Sequence, residues 1–360
     1  MNQPAVSLDP IALGPNYATH SPAYVGGGGI ARFRGLPATD PVRPEDWVGS
    51  ATARFGQREN GLTRLPDGRW LTDAIAADPD GWLGPEHRAR YGLSAGLLVK
   101  LLDSANRIGV HLHPSDEFAV RHLDCPFGKT EAWIILDTGG PDGDVAGQAW
   151  AGFTRDVSRD ELAEWRRTND VAAMLANLNQ IPVRPGSAVL VPAGVPHGMG
   201  AHVLCLELQQ PTDFSIGLEG RIVPGQDQVL ASDLGLGAEL ALAAVDREAW
   251  PPARLAGLFG PGLSAPGPVL PAAADPFFRT ELVSAAAGPV RLEEGFSIVV
   301  GVRGHGQLRG GVGDTRLPLS RGSTCLVPFG TGRVELTGDV EAIVCRPGNP
   351  AATRPSRPMA

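Results

Sequence analysis

The chain has 360 residues, room for about two domains, and a hydrophobic content of 42% that is ample for a core. With 39 acidic against 31 basic residues its net charge is −8, which argues against nucleic-acid binding because that needs a basic face. No apolar run approaches the ~20 residues of a membrane span, and Met1 to Pro15 carries neither a basic region nor a hydrophobic signal core, so the expected compartment is the cytoplasm.

Gly 47 and Pro 33 are high counts and the apolar runs are short, a pattern of many strands and turns. The run Gly26 to Gly29 lacks a strand before it and reads as a turn rather than a nucleotide loop. Glu45 to Ser50 reads as a strand entering the core, and Trp70 to Ala77 as a short helix with Thr72 as a candidate cap. Leu97 to Leu102 is an apolar strand interrupted by Lys100, which is either buried with a partner or placed at a rim. Asp116-Glu117 reads as a solvated loop, and Thr130 to Leu136 as an apolar strand. Ser158-Arg159-Asp160-Glu161 is a capping box opening a helix to about Arg167. A second helix follows over Val171 to Leu178, with Asn169 as its candidate cap. Strands return at Val183 to Val191 and Val203 to Gln209, and Leu234 to Val245 reads as a helix. The stretch Pro252 to Ala274, rich in Gly, Pro and Ala, marks a domain boundary. Beyond it short strands alternate with Gly turns: 290–292, 296–302, 306–308, 323–327, 333–336 and 342–345. The tail 350–360 reads as disordered.

Four stretches carry chemistry. In a strand, side chains at i and i+2 share a face, so His111 and His113 project together. Glu131 starts a second apolar strand, and His197 follows a third through the turn Pro192-Ala193-Gly194. Two or three histidines with a carboxylate and an open position make a catalytic rather than a structural metal site. Glu117 competes with Glu131 as the carboxylate ligand. The cysteines (Cys125, Cys205, Cys325, Cys345) lack CxxC spacing and are expected to be reduced and mostly buried, with Cys125 nearest the site in sequence. Lysine occurs only at Lys100 and Lys129, both in or beside these stretches, in a chain whose other basic residues are all arginine. An ammonium in a tight pocket is not replaceable by a guanidinium.

Gly186, Pro192-Ala193-Gly194 and His197 match the second motif of the cupin barrels, except that Ala201 stands for an Asn. His111-x-His113-(three residues)-Glu117 satisfies the core of the first. Val99 to Leu136 resembles the core of the type I phosphomannose isomerases. Gly152 to Ser158, the two inserted helices, Val191 to Gly200 and Leu204 to Gln210 follow that family's order, and Glu45-Asp46-Trp47 resembles its early Glu-Ser-Trp segment. The resemblance implies a mainly β protein: a cupin, or jelly-roll, β-barrel with helical insertions, plus a second, smaller cupin-like β-sandwich. The metal-binding domain would span 1–255, with its insertion near 156–180, and a metal-free domain 270–350.

The resemblance further implies that His111, His113, Glu131 and His197 hold Zn2+ or another divalent transition metal, and it decides for Glu131 over Glu117. Lys129 falls on the family's Gly-Lys-Thr-Glu lysine, and Glu207 on a site glutamate ten residues past the last His. The implied reaction is aldose–ketose isomerisation of a sugar phosphate, mannose 6-phosphate to fructose 6-phosphate, through an enediolate. Glu207 would be its base, or else the partner that orients a metal-bound histidine. Lys129 and Lys100 would offer positive charge to the substrate. Two departures stand out. His111 replaces a family Gln, which strengthens transition-metal binding. Gly217 stands where the family has an arginine, which opens the alternatives of a different or unphosphorylated sugar or a non-catalytic sugar-binding regulator; Arg221 lies four residues further on. An Fe(II) cupin oxygenase is a further alternative. The expected partner is a small sugar or sugar phosphate, with no nucleic acid and no membrane.

Overall fold

The computed structural model describes residues 8–18, 24–37, 43–140, 143–144, 147–222, 229–230 and 232–349; the tail expected to be disordered lies outside them. The strands in chain order are β1 (Ile11–Leu13), β2 (Glu45–Val48), β3 (Leu98–Ser104), β4 (Ile108–Leu112), β5 (Glu131–Asp137), β6 (Gly147–Phe153), β7 (Leu178–Val183), β8 (Ala188–Val191), β9 (His197–Met199), β10 (Val203–Gln209) and β11 (Ile216–Gly217). Two five-stranded antiparallel sheets make the cupin barrel, in the orders β8-β5-β10-β3-β2 and β11-β4-β9-β6-β7.

Period-two alternation sorts the side chains. On β10, Leu204, Leu206 and Leu208 leave the barrel and join one core with Ile298, Val300, Leu326 and Ile343 of the C-terminal sheet. The intervening Cys205, Glu207 and Gln209 face inward and are buried. Between the two sheets, Leu102, Trp133 and Ile135 meet Ile108, Ala149, Ile181 and Met199. The outer face of the second sheet, through Val110, Leu112 and Ile216, packs on Leu162, Trp165 and Met174 of the inserted helices. Each sheet is thus backed by apolar surface outside the barrel, which leaves part of the interior available for polar groups.

The C-terminal unit is an eight-stranded antiparallel sheet built mainly on two long strands, Ser297–Gly310 and Val334–Pro347. The expected strands 296–302 and 306–308 are one strand here, and Gly304, read as part of a turn between them, lies inside it. A register shift between Gly301 and Arg303 bends the ladder without ending it. The N-terminal β1 belongs to this sheet, pairing with Thr324–Val327.

Local chemistry moves several expected elements. The run Gly26 to Gly29 leads into a helix, Gly29–Arg34, with the amides of Gly27 and Gly29 donating to Asp103. Thr72 lies inside the helix Leu71–Ala77, whose N-cap is Trp70. Asp116-Glu117 opens a helix, Asp116–His122, because the Ser115 hydroxyl caps it by accepting from the Phe118 amide. Asn169 ends the helix Arg159–Thr168 in a left-handed conformation, and Asp170 caps Val171–Ala176. The expected helix over 234–245 is shortened to Ala238–Leu242.

Candidate active site

His111 on β4 and His197 on β9 are directly paired across the second sheet, and His113 sits one residue beyond the end of β4. Gly128 and Gly194 make this convergence possible. A Cβ on Gly128 would lie 2.3 Å from the Pro114 carbonyl oxygen, so only glycine lets Lys129 donate its amide to that carbonyl at 2.9 Å. Gly194 takes φ 85° and donates its amide to the His113 carbonyl at 2.7 Å. The three motifs are thereby stitched together through backbone.

Each imidazole has its Nδ1 on a carbonyl oxygen: His111 on Gly109 at 2.8 Å, His113 on Phe214 at 2.7 Å and His197 on Val195 at 2.9 Å. A carbonyl only accepts, so each Nδ1 carries the proton and each Nε2 presents a lone pair. The Nε2 atoms of His111 and His197 face each other at 3.0 Å. Burial holds all three rings neutral, with His113 pushed down to about 3, Lys129 adding to the effect, and His197 to about 4; His111 is also well below its ordinary value. Glu131 points one oxygen at His113, 2.9 Å from Nε2, and the other to within 3.4 Å of His197. Trp133 Nε1 donates to Oε1 at 2.9 Å, while the buried Oε2 has no well-aligned donor. Three converging lone pairs and a buried carboxylate, with only the Lys129 ammonium among them, fit a divalent cation. The three histidines can therefore hold a metal ion, their ligand atoms lying within 4.8 Å of one another. Glu117 is on the helix Asp116–His122, outside this cluster.

Lys129 Nζ lies 3.1 Å from both Glu131 Oε2 and His113 Nε2. Lys100 is buried, not at a rim, and three carboxylates surround it: Asp213 at 3.5 Å, Glu207 at 3.6 Å and Glu45 at 3.8 Å. Burial works against its charge, but these acids outweigh that and hold the ammonium above its ordinary range. Glu45 is pushed up by burial, yet Lys100 and the donors Tyr24 and Trp47 pull it down to about 2. Glu207 goes the other way. Burial first, and the Glu131 charge second, raise it to about 7, against Lys100 and Lys129. Its Oε2 accepts no hydrogen bond.

His111, His113, Glu131, Lys129, Lys100, Glu45, Glu207 and Asp213 line one cavity of about 260 Å3, together with Arg54, Phe55, Ser215 and Ser232. That is small for a ligand site. Sequence reasoning missed Tyr24, Glu45, Arg54 and Asp213 as site residues. The alternation in Glu45-Asp46-Trp47 was the available signal, since it puts Glu45 and Trp47 on one face beside Lys100.

No protein-family model matches the chain. Mannose-6-phosphate isomerase ManA of Bacillus subtilis is 29% identical over 191 residues, 48% of this chain and 56% of the relative. Mannose-6-phosphate isomerase of Streptococcus mutans is 31% identical over 132 residues, 36% of this chain and 39% of the relative. The chain thus spans about half or less of the curated relatives it matches. The solved mannose 6-phosphate isomerase of B. subtilis superposes with a TM-score of 0.66 at 21% identity, covering 94% of this chain and all of that one. A point mutant of phosphomannose isomerase from Salmonella typhimurium gives 0.70 at 16% identity, covering 96% and 100%. The chain is thus similar to mannose-6-phosphate isomerases over the matched stretch and shares the fold of the phosphomannose isomerases. Against that family's pattern, Gly217 lies directly opposite His111 on the neighbouring strand, and its carbonyl accepts from Arg166 Nε at 3.0 Å. A side chain at 217 would share the face of His111. The Arg221 side chain lies outside the described residues.

Proposed function

We propose that the protein is a metal-dependent aldose–ketose isomerase acting on a sugar phosphate, most simply mannose 6-phosphate to fructose 6-phosphate through an enediolate. The observation that carries this is one cavity lined by lone-pair imidazoles and by a buried acid near pKa 7. His111, His113, Glu131 and His197 would hold the metal, which we take to be zinc; when bound it supplies Lewis-acid stabilisation of negative charge developing on the substrate. Glu207, which lines the cavity, would take the proton from C2 and return it to C1. A base near neutral pKa can do both in one cycle. Lys100, 3.6 Å away, restrains that carboxylate, and the Lys129 ammonium offers charge to substrate oxygens. A cytoplasmic setting is part of this reading, supported by four unpaired thiols. No helix among the described residues is long and apolar enough to cross a membrane.

Purified protein should contain about one equivalent of metal and convert mannose 6-phosphate in a chelator-sensitive way. Turnover that survives complete metal removal would sink the reading. Gly217 supports a second reading, in which a different or unphosphorylated sugar is handled or only bound; metal content without turnover on mannose 6-phosphate would favour it.

A further inference from the structure

Tyr24 borders the cavity and takes no part in the proposed reaction. Its ring is buried with Leu102, Ile108, Trp133 and Met199 in the apolar layer between the two sheets. The chain just after it is held to the turn joining β3 and β4. The Ala105 amide donates to the Val25 carbonyl at 2.8 Å, the Val25 amide to Asn106 Oδ1 at 2.8 Å, and the Gly27 and Gly29 amides to Asp103. β3 carries Lys100 and β4 carries His111, so Tyr24 is referenced both to the acid–lysine group and to the imidazoles.

The hydroxyl is committed in one direction. It donates to Glu45 Oε1, while Trp47 Nε1 donates to Oε2 at 2.7 Å and Lys100 Nζ lies 3.8 Å from that second oxygen. A carboxylate so supplied stays ionised and can only accept. The phenol keeps its proton, because burial first and the Glu45 charge second raise its pKa well above the ordinary value. Among the described residues this is the only hydrogen bond of the Tyr24 hydroxyl. With its proton directed to Glu45, the phenol oxygen can offer a ligand only a lone pair. Such a neutral acceptor suits an O–H and has nothing to give to a phosphate oxygen, a carbonyl or an ether. The Glu207 charge also acts on the phenol, which puts this acceptor on the side of the proposed base.

We propose that Tyr24 is a specificity-determining residue: it accepts a hydrogen bond from one hydroxyl of a polyhydroxylated ligand, on the Glu207 side of the cavity, and so selects against the corresponding deoxy compound. The proposal rests on the isomerase reading only in taking the ligand to be a sugar or polyol.

The test uses the full, metal-loaded chain and probes that cannot isomerise, titrated by calorimetry. They are sorbitol 6-phosphate, its single deoxy analogues at C1 to C5, and the matching deoxyfluoro analogues, whose fluorine cannot donate. In the native protein, the deoxy and deoxyfluoro forms at one position should both bind roughly 3- to 10-fold more weakly than the parent. Tyr24→Phe should weaken the parent by that factor and erase the penalty at that position alone, a coupling that a purely structural role of the ring would not produce. Glu45→Gln is the second variant. Trp47 Nε1 still needs the amide oxygen, so the amide N–H turns to Tyr24 and releases the phenol proton toward the ligand. The deoxyfluoro probe should then regain affinity over the deoxy probe at the same position. Penalties that persist unchanged in Tyr24→Phe, equal losses for every probe, or no binding of sorbitol 6-phosphate to the native protein would overturn the proposal. Turnover of mannose 6-phosphate on the same samples is read separately: a penalty coupled to Tyr24 without turnover supports this assignment and removes only the isomerase reading.

Discussion

The barrel and the C-terminal sandwich use the same strand period and fill it differently. In the long strand Val334–Pro347 the inward positions Leu336, Val340, Ala342 and Val344 are all apolar and meet Val299, Leu308 and Leu319. On β10 the corresponding inward positions are Cys205, Glu207 and Gln209, opposite Lys100, Glu131 and Trp133 on the flanking strands. The sandwich spends its interior on cohesion. The barrel gives part of its interior to charge and draws cohesion from its outer faces, where Leu204, Leu206 and Leu208 enter the core shared with the C-terminal sheet. Substitutions inside the two units should therefore separate into losses of chemistry and losses of stability.

The largest effect is expected from Glu131→Ala. It removes the carboxylate that points at two of the three imidazoles and that we propose as the fourth metal ligand. Activity should vanish and bound metal should drop, both measurable on one preparation by elemental analysis and turnover. Full metal occupancy in this variant would show that the three histidines suffice and would confine Glu131 to orienting them.

Next is Glu207→Gln, expected to lower kcat by roughly 10²- to 10⁴-fold with metal content intact. The pH dependence has a definite sign. With the Glu207 carboxylate as the proposed base, activity should rise with pH through a limb at or below about 7, since a bound metal would favour ionisation. The variant should lack that limb. Stability runs the opposite way. A carboxyl raised on folding contributes stability below its ordinary range and loses it as pH rises through about 7. Glu207→Gln should therefore gain melting temperature over the native protein at pH 8 and not at pH 4. A kcat that falls equally at every pH would assign Glu207 a positioning role.

Leu336→Ala tests the other unit. Leu336 is fully buried in the sandwich core. Its truncation should cost about 2–5 kcal/mol of stability, read by chemical denaturation, while metal content and kcat per folded molecule stay as they were. A fall in metal affinity instead would mean that the core joining the two units transmits strain to the site.

How much of this could be read from residues alone follows from how far each contact reaches along the chain. His111, His113, Lys129, Glu131 and His197 were legible because each stands in a short motif whose spacing already implies one face or one turn. The acids around Lys100 were not. Trp47 meets Lys100 through the β2–β3 register, and Asp213 reaches Lys100 across 113 positions, so no local pattern announces them. Glycine misled in the C-terminal unit, where Gly304 lies within a continuous strand and does not separate two. Asp116-Glu117 passed for a loop because its helix is short and buries little beyond Ala119.

The smallest effect concerns a signal that was read correctly and only half realised. The Ser158 hydroxyl accepts from the Glu161 amide at 3.1 Å, as a capping box requires. The reciprocal half is absent: the Glu161 carboxylate turns instead to the Arg155 guanidinium, one of its oxygens lying 3.0 Å from Nη1. Ser158→Ala should then cost about 1 kcal/mol, and Glu161→Gln distinctly less, since its ion pair is exposed to solvent. Leu162 and Trp165 of this helix back the sheet that carries His111 and His197. Metal affinity unchanged in Ser158→Ala would show that the helix supports the barrel as a unit, and that its first turn can loosen without moving the imidazoles.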